Sequence, residues 1–400
     1  MTDLAQRAEQ ITRFMETHMI DGDGLVYATI RHQTLKPFRK EDIAGQDYYP
    51  YYYHTSIDNT TAINYEDTEM VTADYMDSQL LRYRSTGEAE ALAIARRCYE
   101  ALRRVIREGN TVARGILPKP YGGLRHVAKS RSFSIDQYTK VMLALERFRE
   151  REATAKERAD IARVLVDFAH WWCRQMFTPP FRELYAARIG QSWAPHNYGF
   201  KFYLTSLAWR LSRDPLYKHW LGVFLQDKNE IFKYRNPASA NMADLAIRSL
   251  LRVRDLVPQE QRLWNRAIRH TWTLGKRALS RDYYQLPGHC IGQDTRYPHF
   301  LPGRTPFYGW SFERWISRMR YGASTALASA GLAAADIVKD RDLCLRILDR
   351  RGRDGYIMYL FDEDGRQIHH RHRFLREAIC GYSNAAWLRA YWEAQQPDRL

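Results

Sequence analysis

The sequence predicts an all-α fold, an (α/α)6 toroid of six helical hairpins with long loops gathered at one rim. Three observations predict it. About twelve segments with helical apolar periodicity follow one another along the 400 residues. Their connections alternate between very short and very long. Alternate segments differ in kind, some apolar on one face and others apolar or small nearly all round. Short connections force antiparallel neighbours, and long loops on one rim of a rigid scaffold are where function concentrates.

The expected helices lie near 2–18, 66–86, 88–107, 134–150, 155–175, 197–212, 215–233, 240–254, 259–279, 310–333, 338–349 and 374–395. The first is amphipathic. The second, from Met70 to Leu81, carries aromatic and small residues over most of its circumference, and Gly87 supplies its stop. The third repeats Ala91, Ile94, Ala95, Cys98, Ala101, Leu102 and Val105 at three- and four-residue steps, with Arg and Glu between. The fourth, over Tyr138 to Leu145, resembles the second. The fifth shows one apolar face through Ile161, Val164, Leu165, Phe168 and Trp172. The sixth, over Tyr198 to Trp209, is again apolar all round. Asp214-Pro215 and the stretch around Pro258 are short links. Tyr321 to Ala335 is nearly all small or apolar. Helices apolar all round form an inner ring, and one-faced helices an outer ring. The long links 19–65, 108–133, 176–196, 280–309 and 350–373 lead into the inner helices. Their N-termini add partial positive charge at the mouth. Gly122-Gly123, after Pro118 and Pro120, reads as a turn.

Length is a soft guide to domain number, and a closed ring of hairpins needs about this length as one unit. Residues 1–400 are therefore read as a single domain, with no low-complexity linker. The formal net charge is +15. Its Arg residues are dispersed through helices and mixed with Glu, as on solvated faces. No zinc-finger spacing, basic-helix block or RNA-binding aromatic motif is present, which counts against nucleic acid as a partner. No run of 18 apolar residues occurs, so no membrane span is expected. Five cysteines, Cys98, Cys173, Cys290, Cys344 and Cys380, form no CxxC pair and fit reduced buried thiols. Met1 to Met19 has no secretory h-region or cleavage signal. A cytoplasmic location is expected, or a periplasmic or secreted one if a signal was removed. There is no P-loop or dinucleotide fingerprint, so no cofactor is expected. His370 and His372, in His369-His370-Arg371-His372-Arg373, have metal-ligand spacing but no placed carboxylate, so no metal site is expected.

Two carboxylates stand out by position. Asp67, in Asn64-Tyr65-Glu66-Asp67-Thr68, opens the first inner helix, and Asp136, in Ser134-Ile135-Asp136-Gln137-Tyr138, opens the next. In a ring these starts are neighbours. Two facing carboxylates suit glycosidic chemistry: one protonates the leaving oxygen, the other activates water or stabilises positive charge on the sugar. Capping and dipole stabilisation explain first-turn acids equally well, and Ser134 with Gln137 has capping-box spacing. Asp58, Glu66 and Glu69 are rivals for the first position, with Glu69 a turn from Glu66 and able to face the same way.

This layout resembles the six-hairpin glycosidases, most closely the unsaturated glucuronyl and rhamnogalacturonyl hydrolases. The resemblance covers most of the chain in layout. It implies that Asp67 and Asp136 take the places of the family's two Asp residues. It implies protonation of a C4–C5 double bond of an unsaturated uronate, addition of water and release of the sugar. Glu66 stands where the family's His precedes the first Asp, and Gln137-Tyr138-Thr139 follow the second.

Aromatic and basic residues complete the expected site. The loop Asp47-Tyr48-Tyr49-Pro50-Tyr51-Tyr52-Tyr53-His54 offers flat faces and hydroxyls for sugar rings. Trp193, His196 and Asn197 precede or open the third inner helix, with Lys201 one turn on. Tyr308, Trp310 and Arg314 mark the fifth, behind His289, Arg296, His299 and Arg304. Arg131, Arg296, Arg304 and Arg314 are natural partners for a uronate carboxylate. The leading expectation is a glycoside hydrolase on acidic oligosaccharides, possibly unsaturated uronyl ones. Asp136 is the general acid and Asp67 or Glu66 the second carboxylate. Tyr52, Tyr53, His54, Asp58, Gln137, Trp193, His196, Asn197, Arg296, Arg304, Tyr308, Trp310 and Arg314 are the expected substrate contacts. One alternative is a polysaccharide lyase using Tyr51, Tyr52, Tyr53, His54, His196 and Asn197. Others are a sugar isomerase relying on paired histidines, and a non-catalytic helical binding scaffold.

Overall fold

The computed structural model describes residues 4–31, 33–43, 64–130, 133–178, 192–235, 238, 240–279, 324–354 and 378–396. Among them, twelve main helices form two concentric rings. The inner helices are α2 (Thr68–Thr86), α4 (Ile135–Arg151), α6 (Pro195–Ser212), α8 (Ala240–Leu256), α10 (324–333) and α12 (Gly381–Ala394). The outer helices are α1 (Leu4–Phe14), α3 (Ala89–Asn110), α5 (Ala155–Arg174), α7 (Pro215–Gln226), α9 (Gln261–Leu279) and α11 (Arg341–Asp354). The all-α toroid read from the sequence is the fold of the chain.

The two rings differ as their sequences do. In α2 every residue from Thr68 to Leu81 is buried, whereas α3 buries one stripe through Ala91, Ile94, Ala95, Cys98, Leu102 and Val105. Gly87 ends α2 in the left-handed region at φ 74°, and its N–H bonds back to the Tyr83 carbonyl. The Thr154–Glu157 capping box starts α5, and the Asp214 carboxylate accepts from Leu216 N–H at the start of α7. Gly199 lets α6 approach α8 closely: a Cβ there would lie 2.8 Å from the Ala246 Cα.

The ring closes on itself through side chains of successive inner helices. Lys140 of α4 pairs with Asp74 of α2 at 3.1 Å. Tyr203 of α6 donates to Glu146 of α4 at 2.5 Å. Arg248 of α8 reaches Ser329 of α10. Arg389 of α12 donates to that same hydroxyl at 3.3 Å and also pairs with Asp74, which brings the sixth inner helix back to the first. Across the axis, Asp244 of α8 takes Arg389 of α12 at 2.9 Å, Lys140 of α4, and Arg248 one turn along its own helix at 2.8 Å. Against burial, which raises it, Arg389, Lys140 and Arg248 hold the Asp244 carboxyl well below the usual range. These buried charges fill the space between the inner helices.

Several boundaries depart from expectation. The last inner helix starts at Gly381, because Ala378–Cys380 pair antiparallel with Thr29–Arg31 as β2 and β1 and Gly381 N–H donates to the Ala28 carbonyl at 3.0 Å. Sheet pairing takes the backbone groups that a helix would use. The segment expected over 215–233 breaks at Asp227 and continues as a 3-10 turn, Lys228–Lys233. Cys98, Cys173, Cys344 and Cys380 are buried and form no disulfide with one another. No helix among the described residues is long and apolar enough to cross a membrane.

Candidate active site at the inner-helix starts

Two neighbouring inner helices meet at their first turns through Gln137. Its side-chain oxygen accepts from the backbone N–H of Met70 at 2.8 Å, and its side-chain nitrogen donates to Asp67 Oδ1 at 3.3 Å. Met70 N–H is one of the donors that an α-helix leaves unpaired at its start, so Gln137 of α4 caps α2 from outside. This corrects the local capping box expected of Ser134 and Gln137: Ser134 is the N-cap residue but makes no side-chain cap bond. Asp67 is likewise the N-cap of α2 without capping it, and its carboxylate is held by the neighbouring helix instead.

Of the expected acids, Glu66, Asp67 and Asp136 stand at these two helix starts, and Asp58 lies outside the described residues. Glu66 and Asp67 are buried, and Asp136 is partly exposed in the first turn of α4. Lys119 reaches Glu66 at 3.6 Å from the turn between Pro118 and Pro120, where Gly122 and Gly123 both take φ 82°. Glu69 faces the same lysine. Burial pushes its carboxyl well above the ordinary range, and Lys119 offsets this only in part. Glu66 and Glu69 thus share a direction, as their spacing suggested.

Tyr382 stands at the start of α12. Its hydroxyl donates to Asn241 Oδ1 of α8 at 2.7 Å, and its ring lies 5.9 Å from the Lys140 ammonium. Burial and the charges of Asp244, Asp74 and Asp136 push the phenol well above its ordinary value. Asp136 is therefore within electrostatic reach of Tyr382. Burial, and the Arg389 and Arg248 cations, hold the Lys140 amine below its usual value against the pull of Asp244 and Asp74.

The third inner helix opens with Pro195, His196 and Asn197. Burial alone brings the His196 imidazole down to about 4, and its Nδ1 has no hydrogen-bond partner. Asn197 donates to Ser192 Oγ at 2.5 Å, while its own Oδ1 is buried and unpartnered. Trp193 is covered by Lys201, whose ammonium stands 3.3 Å from the ring centroid and also faces Phe224 at 5.0 Å. Burial brings that amine down to about 7. Tyr52, Tyr53, His54, Asp58, Arg131, Arg296, Arg304, Tyr308, Trp310 and Arg314 lie outside the described residues, as do His289, Cys290, His299, His370 and His372.

Sequence reasoning passed over Lys119, Tyr382 and Asn241. Lys119 carried one signal, a cation fixed between two prolines. Tyr382 and Asn241 look like ordinary inner-helix residues until helix register is known. Among the described residues no group of three His, Cys, Asp or Glu is arranged to hold a metal ion.

No family model matches the chain, and no curated protein matches it. Among solved structures, the chain is similar to an inactive variant of an alpha-1,6-mannanase, GH76A of Salegentibacter sp. HEL1_6, in complex with alpha-1,6-mannotetrose. The TM-score is 0.49 at 8% identity, over 98% of this chain and 99% of that one.

Proposed function

We propose that the chain is a glycoside hydrolase acting on an oligosaccharide at the mouth of the toroid. Asp136 is the general acid and Asp67 the second carboxylate. One observation carries this reading: Gln137 ties Asp67 to the helix that bears Asp136, so the two carboxylates stand on adjoining first turns. Gln137 donates to Asp67 and so orients its carboxylate for activating water or stabilising positive charge on the sugar. Asp136 is the more open of the two and donates its proton to the leaving oxygen. The N-terminus of α2 adds partial positive charge beside Asp67.

The described acids at these two helix starts are Glu66, Asp67 and Asp136, and Lys119 is already paired with Glu66. This favours a neutral sugar next to Asp67 and Asp136. Arg131, Arg296, Arg304 and Arg314, the expected partners of a uronate, lie outside the described residues.

The test is reducing-sugar release from a panel of neutral, uronate and unsaturated uronyl oligosaccharides, with absorbance followed near 235 nm. Hydrolysis that falls about a hundredfold or more in both Asp136→Asn and Asp67→Asn is expected. Rising absorbance on intact uronates would make the chain a lyase. Full activity in both variants would remove the two acids from the chemistry.

A further inference from the structure

Glu69 lies in the first turn of α2, is 0% exposed, and has no hydrogen-bond partner among the described residues at either carboxyl oxygen. The amides that might have served it are committed: Met70 N–H goes to Gln137, and Val71 N–H to the Asp67 carbonyl. Among the described residues the groups facing it are few. From α4 comes Tyr138, whose hydroxyl is held between Leu117 N–H at 2.8 Å and the Gly115 carbonyl at 3.0 Å. From the turn before α4 comes Lys119, only 6% exposed. From α12, Tyr382 donates its hydroxyl to Asn241 instead. Lys119 is thus the cation facing Glu69, and it already stands 3.6 Å from Glu66. A buried carboxylate with neither a hydrogen bond nor its own cation stays neutral.

We propose that Glu69 is a positioning residue acting through Lys119. As a neutral acid it leaves the ammonium on Glu66; as a carboxylate it draws the ammonium away. One buried proton then sets the charge of the Glu66–Asp67 edge of the mouth. Lys119 is well placed to be shared, because Pro118 and Pro120 restrict the backbone that carries it and its side chain alone need move. The effect on catalysis rests on the proposed glycosidase reading; the coupling of Glu69 to Lys119 does not.

The test compares the wild type with Glu69→Gln, which has the same shape and no proton to lose. Folding stability is measured from pH 4 to pH 9, without substrate. Above the ordinary glutamate range, about pH 4.3, the wild type should lose about tenfold in its folding constant per pH unit relative to Glu69→Gln. That loss should level off where Glu69 ionises. Adding Lys119→Met to each protein should move the levelling point to higher pH. A flat difference between wild type and Glu69→Gln would overturn the neutral acid, and an unmoved levelling point would overturn the coupling. On any sugar the wild type cleaves, Glu69→Gln should remove the part of the alkaline change in rate that tracks the levelling point and leave the part set by the general acid Asp136; an alkaline limb identical in the two proteins would overturn the positioning role. Failure to cleave any sugar counts against the glycosidase reading alone, since the stability measurements still decide the coupling.

Discussion

Gln137 donates to Asp67 at 3.3 Å while accepting from Met70 N–H at 2.8 Å, so one side chain both caps the first inner helix and orients a carboxylate at its start. Truncation separates the two roles. Gln137→Ala leaves the buried Met70 N–H unpaired, at a cost of about 1–3 kcal/mol in denaturant unfolding. It also frees Asp67, so turnover should fall by more than the change in substrate affinity. Gln137→Glu keeps the acceptor for Met70 but sets a like charge beside Asp67. It should recover part of the stability and none of the rate.

Arg389 is fully enclosed between Asp74 and Asp244. Arg389→Met removes one partner of a buried network and leaves two carboxylates short of a cation. A loss of about 3–5 kcal/mol is expected. Replacing only one member is what makes the cost large. The double variant Arg389→Met with Asp74→Leu should therefore lose less than the single one. Urea unfolding midpoints at matched pH measure both.

His196 makes stability depend on pH in a predictable direction. Its folded value, about 4, lies below the ordinary value of 6.5. The unfolded chain therefore binds this proton more readily. The contribution of His196 is fully present above pH 6.5 and is lost as pH falls toward about 4. A His196→Gln variant should lack that component, so its stability should fall less steeply across the window. Thermal unfolding at half-unit pH steps reads the difference; parallel curves would place the imidazole in water.

The outer ring offers a simpler test. Thr154 accepts from Glu157 N–H, and Glu157 returns the bond to Thr154 N–H at 2.6 Å. Thr154→Ala should cost about 1 kcal/mol in unfolding free energy. Activity should be unaltered, because α5 lies on the outer ring.

Much of the fold was legible in the chain. The alternation of one-faced segments such as Ala91–Val105 with all-round segments such as Met70–Leu81 is a property of residue order. It specified inner and outer helices because burial on one side or all sides demands different compositions. Stop and start signals such as Gly87, Thr154 and Asp214 act locally and could be read locally. The Asp67 and Asp136 positions followed from the same helix starts. Tertiary structure decided which groups those residues meet. Gln137 looked like the second half of a capping box and became a bridge between helices, because the adjoining helix offered a buried N–H with no other acceptor. Glu69, Lys119, Tyr382 and Arg389 acquired their character from neighbours far away in sequence. Arg389 and Asp74 are 315 residues apart. Charge, burial and hydrogen-bond balance belong to the assembled ring, whereas periodicity belongs to each segment alone.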